Sequence, residues 1–264
     1  MKIPLGCFSI KCLCPMVMAL AITASCSLRA DNHPAPTFSP TEIFMCSYRK
    51  GKDADDLAKA TEQWNEWMDE QNDHGYLALT LTPYLNDPAV DFDTFWVGSW
   101  KDGAAMAKAL DRQGTGDGPE VIGEFFEVVD CPTHAVFAVG TVKKPSRQSA
   151  PETAIMSFSD CSIAEDKSTG DAASALAAWG EYLTSEGLSG PIWMWWPAYG
   201  GPKGDFDFKL VEGYATNAEF GAAFDQYGNG GGFMKAAELL DGTISCDVPR
   251  AYNMALQRSI KAPE

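Results

Sequence analysis

Apolar and polar positions along this chain follow two periods, and the order in which the periods alternate occurs twice. Ile43–Tyr48 is a short apolar, strand-like run. From Asp53 to Met68, Leu57, Ala60, Trp64, Trp67 and Met68 recur at helical spacing. Asn72-Asp73-His74-Gly75 stops that helix. β-Forming runs follow at Tyr76–Thr82, closed by Pro83, and at Thr94–Trp100, with the turn Asn86-Asp87-Pro88 between them. Helices are expected over Asp102–Leu110 and Glu120–Val128, and a last strand over Ala135–Val142. The second half predicts the same series. Strand Ile155–Ser159 and helix Asp171–Leu183 lead to strands Ile192–Trp196 and Phe206–Tyr214, helices Ala218–Phe224 and Phe233–Leu240, and strand Ala251–Gln257.

Particular residues return with the pattern, roughly 115 positions later. Cys46-Ser47 reappears as Cys161-Ser162, Trp64 as Trp179, and Asp91-Phe92-Asp93 as Asp205-Phe206-Asp207. The run Gly114–Gly118 reappears as Gly228–Gly232. Each half therefore reads as a βαββαβ unit, the ferredoxin-like arrangement, in which first and last strands are neighbours. The expected class is α+β: a tether over 31–41, one repeat over 42–142, a linker over 143–153 and a second repeat over 154–262. Cys46 and Cys131 are 85 residues apart, as are Cys161 and Cys246, and the repeat selects those two pairs. The topology agrees, because it brings the end of strand one beside the start of strand four.

Residues 1–30 read as an export signal, with Lys2, Lys11, no acidic residue and an apolar run from Met16 to Ala24. That run is too short to span a bilayer. Cys26, after Thr23-Ala24-Ser25, leaves two outcomes open: cleavage nearby, or lipidation of Cys26 as a membrane anchor. The expected location is therefore periplasmic or secreted, where paired cysteines are favoured. Without residues 1–30 the chain keeps 17 of its 20 basic residues against 36 acidic ones. So strong an acidic balance opposes nucleic acid or anionic lipid as a partner.

Trp100-Lys101-Asp102-Gly103-Ala104 and Tyr214-Ala215-Thr216-Asn217-Ala218 each place an aromatic residue after the third strand and before a helix. In this both halves resemble the dimeric α/β-barrel superfamily, which includes antibiotic-biosynthesis monooxygenase-like proteins. The resemblance implies two sheets packed face to face within one chain, an intrachain pseudo-dimer in a monomer. Many members carry a histidine in the following helix; here Leu110 or an apolar neighbour stands there. Some bind haem through an axial histidine, and no histidine here lies in such a setting, so no cofactor is expected.

Candidate chemistry is sparse. His33 falls in the tether and His74 in a helix-ending turn, while His134 and Arg250 sit at the mouths of the two fourth strands. The repeated Asp-Phe-Asp pairs read as solvated turns rather than a cation site, and no metal is expected. The glycine runs follow helices and hold no lysine or arginine, which fits backbone relief rather than a phosphate cradle. The aromatic residues say more. Trp96 and Trp100 share one face of the third strand, and Glu212 and Tyr214 lie on its counterpart. Trp193-Met194-Trp195-Trp196 has no aromatic equivalent in the first half. A ligand site built from Trp193, Trp195, Glu212, Tyr214 and Arg250, with Trp96, Trp100 and His134 as first-half candidates, would suit a small hydrophobic or aromatic molecule. Three functions follow: a cell-envelope ligand binder, a cofactor-independent monooxygenase-like enzyme, or an interaction module without a small-molecule site. No paired acid and base is visible in the sequence, which leaves the binder as the leading expectation.

Overall fold

The computed structural model describes residues 37–147, 149–200 and 204–260, which form one compact unit. The export signal, Cys26 and His33 lie outside the described residues. The chain runs β1 (Ser39–Tyr48), α1 (Ala54–Glu70), β2 (Tyr76–Leu85), β3 (Thr94–Trp100), α2 (Gly103–Gln113), α3 (Gly118–Val128) and β4 (Val129–Lys143). It continues through β5 (Thr153–Ile163), α4 (Thr169–Ser185), β6 (Ile192–Gly200), β7 (Phe208–Tyr214), α5 (Asn217–Gly228), α6 (Gly232–Leu240), β8 (Ile244–Cys246) and β9 (Arg250–Arg258). Helix starts are set by short polar side chains. Asp53 accepts from the amides of Asp55 and Asp56, and Ser168 forms a reciprocal capping box with Asp171.

All strand pairs are antiparallel. The order β4-β1-β3-β2 on one side is matched by β9-β5-β7-β6 on the other. The inner faces of the two groups pack on each other across the interior, as expected. The groups also join edge to edge, β2 to β9 and β4 to β6, and so close an eight-stranded barrel. The reason is the edges: an open four-stranded sheet leaves two rows of unpaired N–H and C=O groups, and mating removes all four rows. Alternation then sorts the side chains. Ile43, Leu79, Leu81, Phe95, Val97, Phe137, Met156, Phe158, Trp195, Val211 and Met254 fill the interior. The opposite faces meet helices, with Trp64, Tyr76 and Trp100 packed at α1 and α2, and Leu176, Trp179, Ile192 and Phe208 packed at α4 and α6.

Several boundaries move for identifiable reasons. β1 begins at Ser39, so the last three residues of the expected tether belong to the strand. β2 runs through Pro83 to Leu85, because pairing with β3 stops at Leu81 and a bulge against β9 accommodates the proline. β4 starts at Val129, six residues before the expected Ala135, held against Ser47 and Tyr48. The short β8 was not anticipated; it places Cys246 directly opposite Cys161. Both expected disulfides are present, Cys46–Cys131 and Cys161–Cys246, each with Cα atoms 4.0 Å apart.

The ends of the last strands cross over. Lys143, ending β4, donates to the carbonyl oxygen of Leu188 at 2.8 Å, just after α4. Arg258, ending β9, donates to Asp69 Oδ1 at 2.7 Å and the Asp73 carbonyl oxygen at 2.6 Å, at the C-terminal end of α1. There its charge also meets the negative end of the helix dipole. Each group of four strands is thereby fastened to a helix of the other.

Each disulfide closes a loop long enough to stabilise the fold by about 4 kcal/mol in the chain-entropy model. Replacing Cys46 and Cys131 together by alanine should lower the urea unfolding free energy by about 2–5 kcal/mol. An unchanged midpoint would show that the edge closure alone holds β4 in place.

Candidate active site on the outer face of β1 and β3

Glu42 is the unusual residue of β1. It points out of the barrel toward the helices, is only 4% exposed, and lies between Gly98 of β3 and Val136 of β4. A buried carboxylate needs partners, and it has two. Tyr76 Oη donates to Glu42 Oε1 at 2.7 Å, and His134 Nε2 lies 3.0 Å from Glu42 Oε2. Trp96 Nε1 in turn donates to Tyr76 Oη at 3.1 Å. The result is a directed chain: indole N–H, phenol O–H, carboxylate, imidazole. Burial, and then the Glu42 charge, push the Tyr76 phenol well above its ordinary pKa, so it stays protonated and donates.

Gly98 makes this geometry possible. A Cβ at that position would stand 1.5 Å from Tyr76 Oη. The His134 ring stacks on Phe44, with centroids 3.8 Å apart, and remains about half exposed. Glu42, Phe44, Tyr76 and Trp96 form the floor of a cavity of about 90 Å³ roofed by Leu57, Trp64, Ile122 and Phe125. The Cys46–Cys131 disulfide lines one side. A carboxylate, a proton donor and apolar walls share one cavity.

The matching face of the other strand group is built differently. Glu212 of β7 stands opposite Ser157 of β5, as Gly98 stands opposite Glu42, so the acid has moved to the partner strand. Tyr214 Oη donates to Glu212 Oε2 at 3.0 Å. Burial raises the Glu212 carboxyl pKa, opposed by its hydrogen bonds to Tyr214 and Ser157 and by the Lys143 charge.

The aromatic candidates are thus divided. Trp96 and His134 meet through Glu42 and Tyr76, whereas Trp100 is 2% exposed and packs on Tyr76 as core. Trp193 and Trp195 face the barrel interior, the opposite side of the sheet from Glu212, so those three do not share a wall. Tyr214 reaches the barrel end near Trp193. Arg250 lies apart, in ion pairs with Asp247 at 2.5 Å and Asp160 at 3.4 Å. One acid of each repeated pair is structural: Asp93 and Asp207 accept from the backbone amides of Tyr48 and Ile163 at 2.8 and 2.7 Å. Among the described residues no three His, Cys, Asp or Glu side chains converge as metal ligands. In the glycine runs, a Cβ at Gly118 would lie 2.5 Å from the Arg112 carbonyl oxygen, and Gly231 has φ +84°. Both fit backbone relief.

No protein-family model matches the chain, and no curated protein sequence does. Solved structures do. A monooxygenase candidate from Lactobacillus acidophilus NCFM superposes with a TM-score of 0.55 at 11% identity, over 84% of this chain and 98% of that one. A second such candidate, from Fusobacterium nucleatum, gives 0.54 at 11% identity, over 84% and 94%. The shared feature is the fold. It is the dimeric α/β barrel, formed here by a single chain.

Two outcomes follow from the site. Gly98→Ala should displace Tyr76 from Glu42 and destabilise the protein by about 1–3 kcal/mol, in the range for overpacking; an unperturbed melting curve would contradict the packing. The second concerns Glu212, whose folded pKa lies above its unfolded value of roughly 4.3. Its contribution to stability is complete below the unfolded pKa and is lost as pH rises through the folded one. The melting temperature of Glu212→Gln relative to wild type should therefore climb between pH 4 and pH 7. A difference that is flat or falling with pH would remove the burial effect.

Proposed function

We propose that this chain is a cofactor-independent, monooxygenase-like enzyme, with Glu42 as its general base. The observation that carries this is a single carboxylate buried at the floor of an apolar cavity, held between a phenol donor and an imidazole. The neighbours described as monooxygenase candidates have the same fold, and the cavity supplies the chemistry. The substrate would be a small, ring-bearing molecule with an acidic C–H or phenolic group. The cavity of about 90 Å³ admits its reacting edge, since about 150 Å³ accommodates a benzene ring.

Glu42 takes a proton from the substrate CH₂, leaving a carbanion whose electrons reduce dioxygen, and a C–O bond forms. Glu42 returns the proton to the peroxide. Loss of the second C–H proton with O–O cleavage gives a ketone and water. The four electrons come from the substrate carbon, so no external reductant enters. His134, stacked on Phe44, holds the second carboxylate oxygen. Tyr76 and Trp96 fix the first, so the base enters the reaction already oriented. Ligand binding without turnover would leave the partnered, buried Glu42 without a role.

The proposal has two further parts. The chain is two ferredoxin-like repeats in tandem, 42–142 and 154–262, supported by the matching strand orders and the matching disulfides. It also works outside the reducing cytoplasm, supported by those disulfides and by the signal-like residues 1–30.

Oxygen uptake with activated phenols and anthrones tests the activity. Glu42→Gln should lower kcat by about 100-fold or more, while Tyr76→Phe, which keeps the ring, should give a smaller loss. Undiminished turnover in Glu42→Gln would end the proposal.

A further inference from the structure

The cavity above Glu42, at about 90 Å³, is smaller than the roughly 150 Å³ that holds benzene, so a whole ring enters only if part of the wall moves. Its floor is sheet, and its roof comes from α1 and α3. The two helices are held differently. α1 buries Leu57, Ala60, Trp64, Trp67 and Met68 along its length. α3 buries only its two ends, Gly118 and Val128, while Ile122 and Phe125, which line the cavity, are partly buried. The C-terminal end of α3 is anchored. Arg49 donates from its backbone N–H to the Val128 carbonyl oxygen at 2.9 Å, and from Nε to that of Phe126 at 2.5 Å. The Cys46–Cys131 disulfide follows just beyond. The N-terminal end instead follows Gly114-Thr115-Gly116, with Gly116 in the left-handed region at φ +61°.

That end carries an anomaly. Asp53, Asp102, Ser168 and Thr216 precede α1, α2, α4 and α5 in extended backbone, and each accepts from an amide of its own helix. Asp117 precedes α3 and is the same kind of residue, yet its backbone is helical, at φ −86° and ψ −5°, and its side chain caps nothing. Asp117 Oδ1 accepts from Trp67 Nε1 of α1 instead, at 2.9 Å. One carboxylate therefore serves two alternative partners: an indole on the neighbouring helix, or the amides that open its own. In the second half the glycine run places Gly231 there, with no side chain to reach across. Tyr182, the counterpart of Trp67, is bonded to Gln226 of α5. Among the described residues this contact is made in the half that holds Glu42.

We infer that α3 is a hinged lid over the Glu42 cavity, latched by Asp117 on Trp67 and swinging about its Arg49 anchor to admit the substrate ring. Opening carries Ile122 and Phe125 away from the floor and enlarges the space beside Glu42. It does not strand the carboxylate, because Asp117 released from Trp67 can cap α3. The inference rests on the reading of this cavity as the substrate site.

Amide hydrogen exchange of the intact disulfide-bonded protein, read by mass spectrometry without ligand, tests the lid. In wild type the α3 amides should exchange through local opening, faster than those of α1. Asp117→Ser keeps a capping residue but is one bond shorter and does not reach Trp67. It should speed α3 exchange about tenfold and leave α1 at its wild-type rate. Trp67→Phe, which keeps a ring without the N–H, should speed α3 by a similar factor. Association of 1-naphthol, followed by stopped-flow tryptophan fluorescence, should level off with concentration at the opening rate, and Asp117→Ser should raise that plateau about tenfold. The inference is overturned by α3 exchanging no faster than α1 in wild type, or by α3 exchange that Asp117→Ser leaves unchanged. An association plateau that Asp117→Ser does not move overturns it as well. Should Trp67→Phe fail to fold, Asp117→Ser decides alone. Glu42→Gln should keep wild-type α3 exchange. Turnover that survives in Glu42→Gln, or 1-naphthol that does not bind, counts against the proposed chemistry and substrate site, and the exchange rates then decide the lid by themselves.

Discussion

The satisfaction of sheet edges governs this molecule. Four strands in the order β4-β1-β3-β2 leave β4 and β2 with unpaired backbone groups, and β9-β5-β7-β6 leaves β9 and β6 likewise. Mating the edges gives every strand of the barrel two neighbours. It also divides each strand's side chains between an enclosed interior and a face covered by helices. Every potential site inherits that division. Away from the bulges, residues of one strand an even number apart share an environment and adjacent residues do not.

The division explains how one strand serves two spaces. Thr41 and Glu42 are neighbours in sequence, yet Thr41 bonds to Ser99 inside the barrel while Glu42 bonds to Tyr76 and His134 outside it. The same holds for Ser99 and Gly98 on β3. One presents a hydroxyl to the interior, and the other withholds a side chain so that Tyr76 can lie against the sheet. The polar groups are few, and each sits where the alternation assigns it.

Most of the fold was legible in the sequence because its signals are local and repeated. Helical spacing in α1, the glycine-relieved junctions before α3 and α6, and equal cysteine separations all survive into the structure. The closure of the two sheets into a barrel follows from the resemblance and not from the pattern itself, since period-two alternation does not distinguish a face that meets a sheet from one that lines a barrel. The candidate site was half legible. Trp96 and His134 were singled out by strand position. Glu42 escapes the pattern because the apolar run begins at Ile43, four residues after the strand does, and a lone glutamate before such a run reads as solvated. Tyr76 looked like an ordinary β-former; what sets it apart is Gly98, twenty-two residues away. Glu212 and Trp195 are both peculiar to the second half, which groups them in the sequence, but adjacent strands with opposite-facing residues carry them to different layers.

The crossed ends of β4 and β9 bear on how the protein assembles. Lys143 needs the backbone after α4, and Arg258 needs the end of α1, so neither group of strands can finish its own surface without the other. A chain cut in the 143–153 connection would yield two fragments, each with two raw edges and a dangling cationic hook. Each fragment would be the natural complement of the other. Folding is therefore a mutual act of the two groups, and local melting of one would strip support from the other. The molecule's cooperativity is a property of its closure and does not come from either part alone.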